Sequence, residues 1–138
     1  MLFIGFTIAA CNPDRETSNK TVTTRYVAYS KGDTAIATLV ESPSLFKGVL
    51  EIRYEGSYKD SGDVRGFIKG DTLMGDYHYQ SYWLPIWKRK PVIFLRRNGN
   101  LVLGKGIVKF TMGIPHYNPS YPVEYDESKS FVFKKLEN

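Results

Sequence analysis

The chain offers little with which to do covalent chemistry. It has two histidines, His78 and His116, and one cysteine, Cys11. Nucleophilic and acid–base catalysis need a nucleophile and a base within reach of each other, and this inventory presents no such pair. Asp76 and His78 are two apart, so on an extended stretch they share a face and offer two metal ligands. A third ligand is not evident, and the expected reading is a solvated polar face opposite Leu73, Tyr77 and Tyr79. No Gly-rich phosphate loop opens a helix, and neither GxSxG nor HExxH occurs. No enzyme, no metal and no other cofactor is expected.

The tetrad Lys-Gly-Asp-Thr occurs twice, at 31–34 and 69–72. Two aspartates in a repeated setting raise a calcium site as one reading. Hairpin-turn chemistry is the simpler one, because Gly-Asp supplies the positive φ that tight turns require. The more informative cluster is Lys88-Arg89-Lys90, with Tyr82, Trp83 and Trp87 just before it. Residues 77–123 hold seven bases and no acid, so within an overall net charge of +5 the remainder of the chain is at −2. An anionic or sugar-like ligand would meet stacking rings and positive charge together there.

The cysteine has its own context. Leu2 to Ala10 is uncharged and apolar and ends in Ile8-Ala9-Ala10-Cys11, a lipobox: small side chains fit a signal peptidase's cleft, and the thiol then carries the lipid. No basic residue precedes the apolar run, so residues 1–10 are expected to be a signal segment with a misplaced or truncated start. Residues 11–20 are polar and turn-rich, as a lipidated flexible tether should be. Residues 21–138 are then one domain. A content of 42% hydrophobic and 14% aromatic residues suffices for a core, and a single cysteine excludes an internal disulfide framework.

The elements that must position these residues have period two. In Gly48 to Glu55, Leu50, Ile52 and Tyr54 share one face while Glu51, Arg53 and Glu55 share the other, the mark of a half-buried antiparallel strand. The same pattern predicts strands at 22–30, 34–40, 64–69, 72–81, 92–97, 101–110 and 131–136. Turns are expected at Gly32-Asp33, Gly70-Asp71 and Asn98-Gly99-Asn100. Eight short strands in sequence order predict an all-β, eight-stranded antiparallel up-and-down meander closed into a small barrel, because closure removes sticky edges; a curved two-sheet sandwich is the alternative. Leu50, Ile52, Tyr54, Tyr77, Tyr79 and Phe94 should face inward. Gly66, Gly75, Gly104 and Gly106 lie inside strands and mark barrel corners or interior space.

The run Gly48-x-Leu50-x-Ile52-x-Tyr54, then Gly66-x-Ile68-x-Gly70-Asp71-Thr72-Leu73-x-Gly75-x-Tyr77-x-Tyr79-x-Ser81, then Val92-Ile93-Phe94-Leu95, together with the lipobox, resembles the small envelope lipoproteins of Bacteroidota with a lipocalin-like β-barrel. The resemblance covers about residues 48–104. It implies a barrel held at the cell envelope and brings no catalytic residues. Surface-exported members carry an acidic run after the cysteine; Asn12-Pro13-Asp14-Arg15-Glu16 stands here instead, which points to the periplasmic face.

Meander topology sorts the loops. With the tether at the lower end, Lys31 to Asp33, Gly56 to Gly62, Tyr82 to Lys90 and Thr111 to Lys129 lie at the upper end. Prolines stiffen the two long ones. The candidate working surface is their rim, Tyr82, Trp83, Trp87, Lys88, Arg89, Lys90, Tyr117 and Tyr121; the competing reading is that these rings fold inward as a lid that completes the core. Arg96, Arg97, Lys47, Lys69, Lys134 and Lys135 fall near the lower rim, where they could face anionic lipid. The expected function is a membrane-anchored, non-enzymatic binding module for a small apolar or amphiphilic ligand. The alternative is an envelope protein that binds or inhibits another protein through the aromatic rim. Nucleic acid is not an expected partner. A filled barrel favours the alternative and a cavity the first reading.

Cys11 yields a direct expectation. Expressed behind a complete signal peptide in a bacterial host, the protein should partition into the detergent phase, and Cys11→Ser should release it to the aqueous phase; equal partitioning of the two would exclude lipidation.

Overall fold

The computed structural model describes residues 20–56, 58–82 and 84–137. The expected signal segment and most of the tether, with Cys11, lie outside the described residues, as does Trp83. The described residues form ten strands, most of them with apolar and polar residues alternating: β1 (Val22–Ser30), β2 (Asp33–Glu41), β3 (Leu45–Arg53), β4 (Lys59–Lys69), β5 (Thr72–Ser81), β6 (Leu84–Arg97), β7 (Asn100–Leu103), β8 (Val108–Thr111), β9 (Ile114–Tyr117) and β10 (Val132–Lys135). Strands β1 to β7 run as an antiparallel meander, and β10 inserts between β7 and β1 to close an eight-stranded barrel. Strands β8 and β9 form a separate hairpin within the chain's excursion from β7 to β10.

The inward rows interlock across the strands. Leu39 lies opposite Gly48, Gly48 opposite Val64, Val64 opposite Tyr77, and Tyr77 opposite Lys90. Tyr26, Phe46, Leu50, Tyr77, Phe94, Leu101 and Phe133 are fully buried, and Tyr54 and Tyr79 pack against them. Phe94 stands edge-on to Phe46 and Phe133, at 6.5 and 5.6 Å between ring centroids. Side chains therefore fill the interior, as the geometry of an eight-stranded barrel allows. Gly66 and Gly75 are directly paired, and a Cβ on Gly66 would lie 2.1 Å from the Met74 carbonyl oxygen. That is backbone against backbone, a close approach that leaves no room for a side chain at either position. At the lower end Arg96 donates to Glu41 and lies beside the Tyr26 hydroxyl, forming an inward-facing polar plug.

Four expectations need correction. Residues 84–90 are not a loop, because β6 starts at Leu84 and pairs with β5 along its length apart from an irregularity at Gln80/Ser81. Pro85 and Pro91 are tolerated because β7 pairs only with Phe94–Arg97, so the upper part of β6 has a free edge. The stretch 101–110 is not one strand: it breaks after Leu103, where Gly104 donates to the Ile93 carbonyl and the chain leaves the barrel. Gly104 and Gly106 make no interior space. A Cβ on Gly104 would strike Val123, Ile93 and Tyr125, and one on Gly106 would strike Tyr117, so both admit the excursion onto the outer wall. Finally, β4 begins at Lys59, five residues before the expected Val64, with the unfavourable Asp60-Ser61-Gly62-Asp63 run held in the ladder on both sides.

The repeated tetrads are both hairpin turns but differ in register. The first turns on Lys31-Gly32, both at positive φ, one residue earlier than expected, and the second on Gly70-Asp71. In the first, the Asp33 side chain accepts the Glu55 amide hydrogen at 2.9 Å.

Phe94→Ala should cost about 3 to 5 kcal/mol and Leu50→Ala about 2 to 5. Glu51→Ala, which removes only an outward carboxylate from its Arg53 and Lys59 pairs, should cost less than about 1 kcal/mol. Urea midpoints measure all three, and equal losses at Leu50 and Glu51 would show the barrel register to be wrong.

Candidate functional site

The upper end of the barrel is built by the β1–β2, β3–β4 and β5–β6 hairpins. Directly paired residues on antiparallel strands share a face, so Lys90 opposite Tyr77 and Lys88 opposite Tyr79 point with those tyrosines toward the barrel axis. The rings of Tyr77 and Tyr79 stack at 4.5 Å, and the Lys90 Nζ lies 5.6 and 5.0 Å from their centroids, close enough for cation–π attraction. On β4, beside the same cleft, Asp60 accepts hydrogen bonds from the Tyr54 hydroxyl at 2.9 Å and the Ser81 hydroxyl at 2.7 Å. Tyr77 donates to the Leu50 carbonyl at 2.9 Å, which fixes the floor. Tyr54, Tyr58, Asp60, Tyr82, Leu84 and Lys88 line an open cleft of about 340 Å³.

Burial sets the electrostatics. It lowers the Lys90 pKa, a trend that Asp60 opposes and Lys88 reinforces. It raises Tyr54, where the hydrogen bond to Asp60 adds to it, and Tyr77, where the charge of Asp60 does. Among the described residues, neither the Lys88 nor the Lys90 ammonium has a hydrogen-bond or ion-pair partner. Two cations therefore stand beside an apolar-walled cleft with donors to spare.

The mouth gathers only some of the expected rim. Tyr82, Lys88 and Lys90 belong to it. Trp87 and Arg89 alternate to the outer face, where Trp87 stacks on His78 at 4.6 Å and Arg89 binds Asp76 at 2.6 Å. The candidate ligand pair Asp76 and His78 is thus divided between two partners. The excursion does not crown the rim: Val123 and Tyr125 pack on Gly104, and the half-buried Tyr117 donates to the Pro91 carbonyl at 3.2 Å. Tyr121 lines a different cleft with Lys105, Ile107 and Glu124. Sequence reasoning missed Tyr54, Tyr58, Asp60 and Ser81. The signal for Asp60 was available, since continuing the period of Val64 backward turns residues 62 and 60 inward.

No protein-family model, no curated protein and no solved structure matches the chain.

The tyrosines make the fold alkali-sensitive. Burial raises the pKa of Tyr26, Tyr54, Tyr77, Tyr79 and Tyr125, and it pushes Tyr117 up to about 12. The folded chain keeps protons that the unfolded chain releases, so this stabilisation is complete below the ordinary tyrosine value of about 10 and is lost as pH rises above it. Lys90 has the opposite sign: its lowered pKa burdens the fold at neutral pH and is relieved as pH rises toward the ordinary lysine range. Lys90→Met should therefore raise the urea midpoint at neutral pH, by a margin that shrinks toward pH ~10. A constant margin would show that Lys90 is not desolvated.

Proposed function

We propose that this protein is a membrane-anchored lipoprotein of the cell envelope, on its periplasmic face, acting as a non-enzymatic binding module whose site is the upper mouth of the barrel. The observation that carries this reading is the pair of inward ammonium groups, Lys88 and Lys90, which among the described residues enter no ion pair, beside a cleft walled by Tyr58, Tyr82 and Leu84. The filled interior narrows the expected ligand. A wholly apolar molecule inside the barrel would have to displace core rings, whereas an amphiphile can set a carboxylate or phosphate head on the lysines and lay its apolar body across the rim. Asp60, two strands away on β4, lines the same cleft and offers an acceptor to a ligand hydroxyl.

A dansyl-labelled fatty acid is the probe. Its fluorescence should rise on titration with protein, and Lys90→Ala should weaken binding about tenfold, the worth of one charge-assisted hydrogen bond. An unchanged affinity in Lys88→Ala and Lys90→Ala, with both variants folded by circular dichroism, would overturn the mouth as the site.

Two observations favour a protein partner as the second reading: the filled interior, which the first reading did not expect, and an exposed hairpin. The β8–β9 hairpin turns on Met112-Gly113 with both residues at positive φ, and Met112 is 97% exposed between exposed Phe110 and Ile114. A methionine in that conformation costs about 1 to 2 kcal/mol, and an adaptable apolar tip is what a binding surface uses.

A further inference from the structure

The lower end of the barrel carries an unexplained like-charge pair. Lys47 on β3 and Arg65 on β4 lie directly opposite each other on the outer face. Such a pair destabilises a sheet unless something negative answers it. The one carboxylate opposite Arg65 on the next strand, Asp76, takes Arg89 at 2.6 Å instead. Among the described residues, Lys47, Arg65 and Lys69 enter no ion pair.

The neighbouring row is apolar and uncovered. Leu45 and Phe67 face each other across the same two strands and are 60% and 47% exposed, with Met74 beside Phe67. The two rows border an open cleft of about 710 Å³ whose remaining wall includes Val40 and Thr21. Thr21 also marks where the chain enters β1, so the nineteen residues before Lys20, Cys11 among them, join the barrel at this patch. Basic residues beside exposed aliphatic and aromatic side chains are the composition of a surface that rests in a lipid headgroup layer, the cations on phosphates and the apolar side chains dipping below them.

We infer that the lower outer wall of β3 and β4, centred on Lys47, Arg65, Leu45 and Phe67, docks on an anionic lipid surface. The inference is independent of the mouth and extends the anchoring reading. With Cys11 only nine residues before Lys20, a lipidated tether reaches about 30 Å at most and keeps the patch at high local concentration near the bilayer. Docking then fixes how the barrel sits, with the mouth held at the far end.

The test uses full-length Cys11→Ser protein, which carries no lipid, in co-sedimentation with vesicles of phosphatidylcholine alone or mixed with phosphatidylglycerol. Binding should require phosphatidylglycerol and weaken with salt. The double variant Lys47→Glu, Arg65→Glu should lose about tenfold or more in affinity, and Leu45→Ser, Phe67→Ser should weaken it as well, with thermal melts confirming both folded. These are exposed positions, so the fold should survive. Unchanged vesicle binding in the charge-reversed variant would overturn the inference and assign any binding to the apolar N-terminal run. A dimer by sedimentation velocity that Leu45→Ser, Phe67→Ser dissolves would overturn it too, by giving the patch to a second copy. Detergent partitioning of the lipidated protein reads anchoring separately, so loss of anchoring and loss of docking are distinguishable.

Discussion

Ring closure is the constraint on which the rest of this structure depends, and it rests on a four-residue strand. β10 joins β1 through the Tyr26–Lys135 and Val27–Lys134 pairs, extended by the Leu136 amide donating to the Arg25 carbonyl, and joins β7 through Val132 and Phe133. Without it, β1 and β7 would both be open edges, and Phe94 would lose Phe133 from its edge-on packing. The chain must come back from its excursion in register for this strand to form. Ser130 binds the Leu103 carbonyl, Leu103 donates to the Phe131 carbonyl, and Lys105 exchanges two backbone bonds with Glu124. The excursion is therefore a buckle on the outer wall, and Gly104 and Gly106 are small because the buckle passes over them.

Closure also decides where a ligand can go. A ring of eight strands leaves an interior that aromatic and branched side chains fill, so function is driven to the ends and the outer wall. The two ends solve their polar residues differently. At the lower end Arg96 meets Glu41, and although burial works against the guanidinium charge, Tyr26 and Glu41 outweigh it and raise its pKa. At the upper end burial prevails over Asp60 and lowers Lys90. The lower plug is internally neutralised, whereas at the mouth two ammonium groups face the single carboxylate of Asp60.

The barrel was legible in the sequence because period-two patterning survives wherever one face is buried. β1 and β5 match their expected bounds, and Leu50, Ile52, Tyr77 and Phe94 are inside as the pattern demands. It failed where that contrast is missing. Leu84 to Arg89 are exposed on both faces, so the strand shows no alternation and its prolines read as loop punctuation. The β8–β9 hairpin turns on Met-Gly, which is no turn signature, and its strands are exposed apart from Pro115 and partly His116 and Tyr117. The mouth was half legible: the lysines and Tyr82 stood out by charge and ring, but treating 82–90 as a loop hid the alternation that sends Lys88 and Lys90 inward and Trp87 and Arg89 outward. Asp60 was hidden by its own neighbours, since Asp-Ser-Gly-Asp reads as a turn and is held extended by pairing on both sides.

The same free edge explains why the charges stand where they do. β7 leaves the barrel at Leu103, so among the described residues β6 above Phe94 pairs with β5 on one side and with no strand on the other, where Tyr117 of β9 reaches the Pro91 carbonyl. An apolar edge strand of that kind, with Leu84, Ile86 and Trp87 exposed, would recruit strands from other chains. Lysine, arginine and proline are the residues that discourage such pairing. Lys88-Arg89-Lys90 between Pro85 and Pro91 guards the edge, and strand alternation then delivers two of the three charges to the mouth and the third to Asp76 on the outer face. Charge on this edge discourages strand pairing whether or not a ligand uses it, and alternation places Lys88 and Lys90 at the mouth.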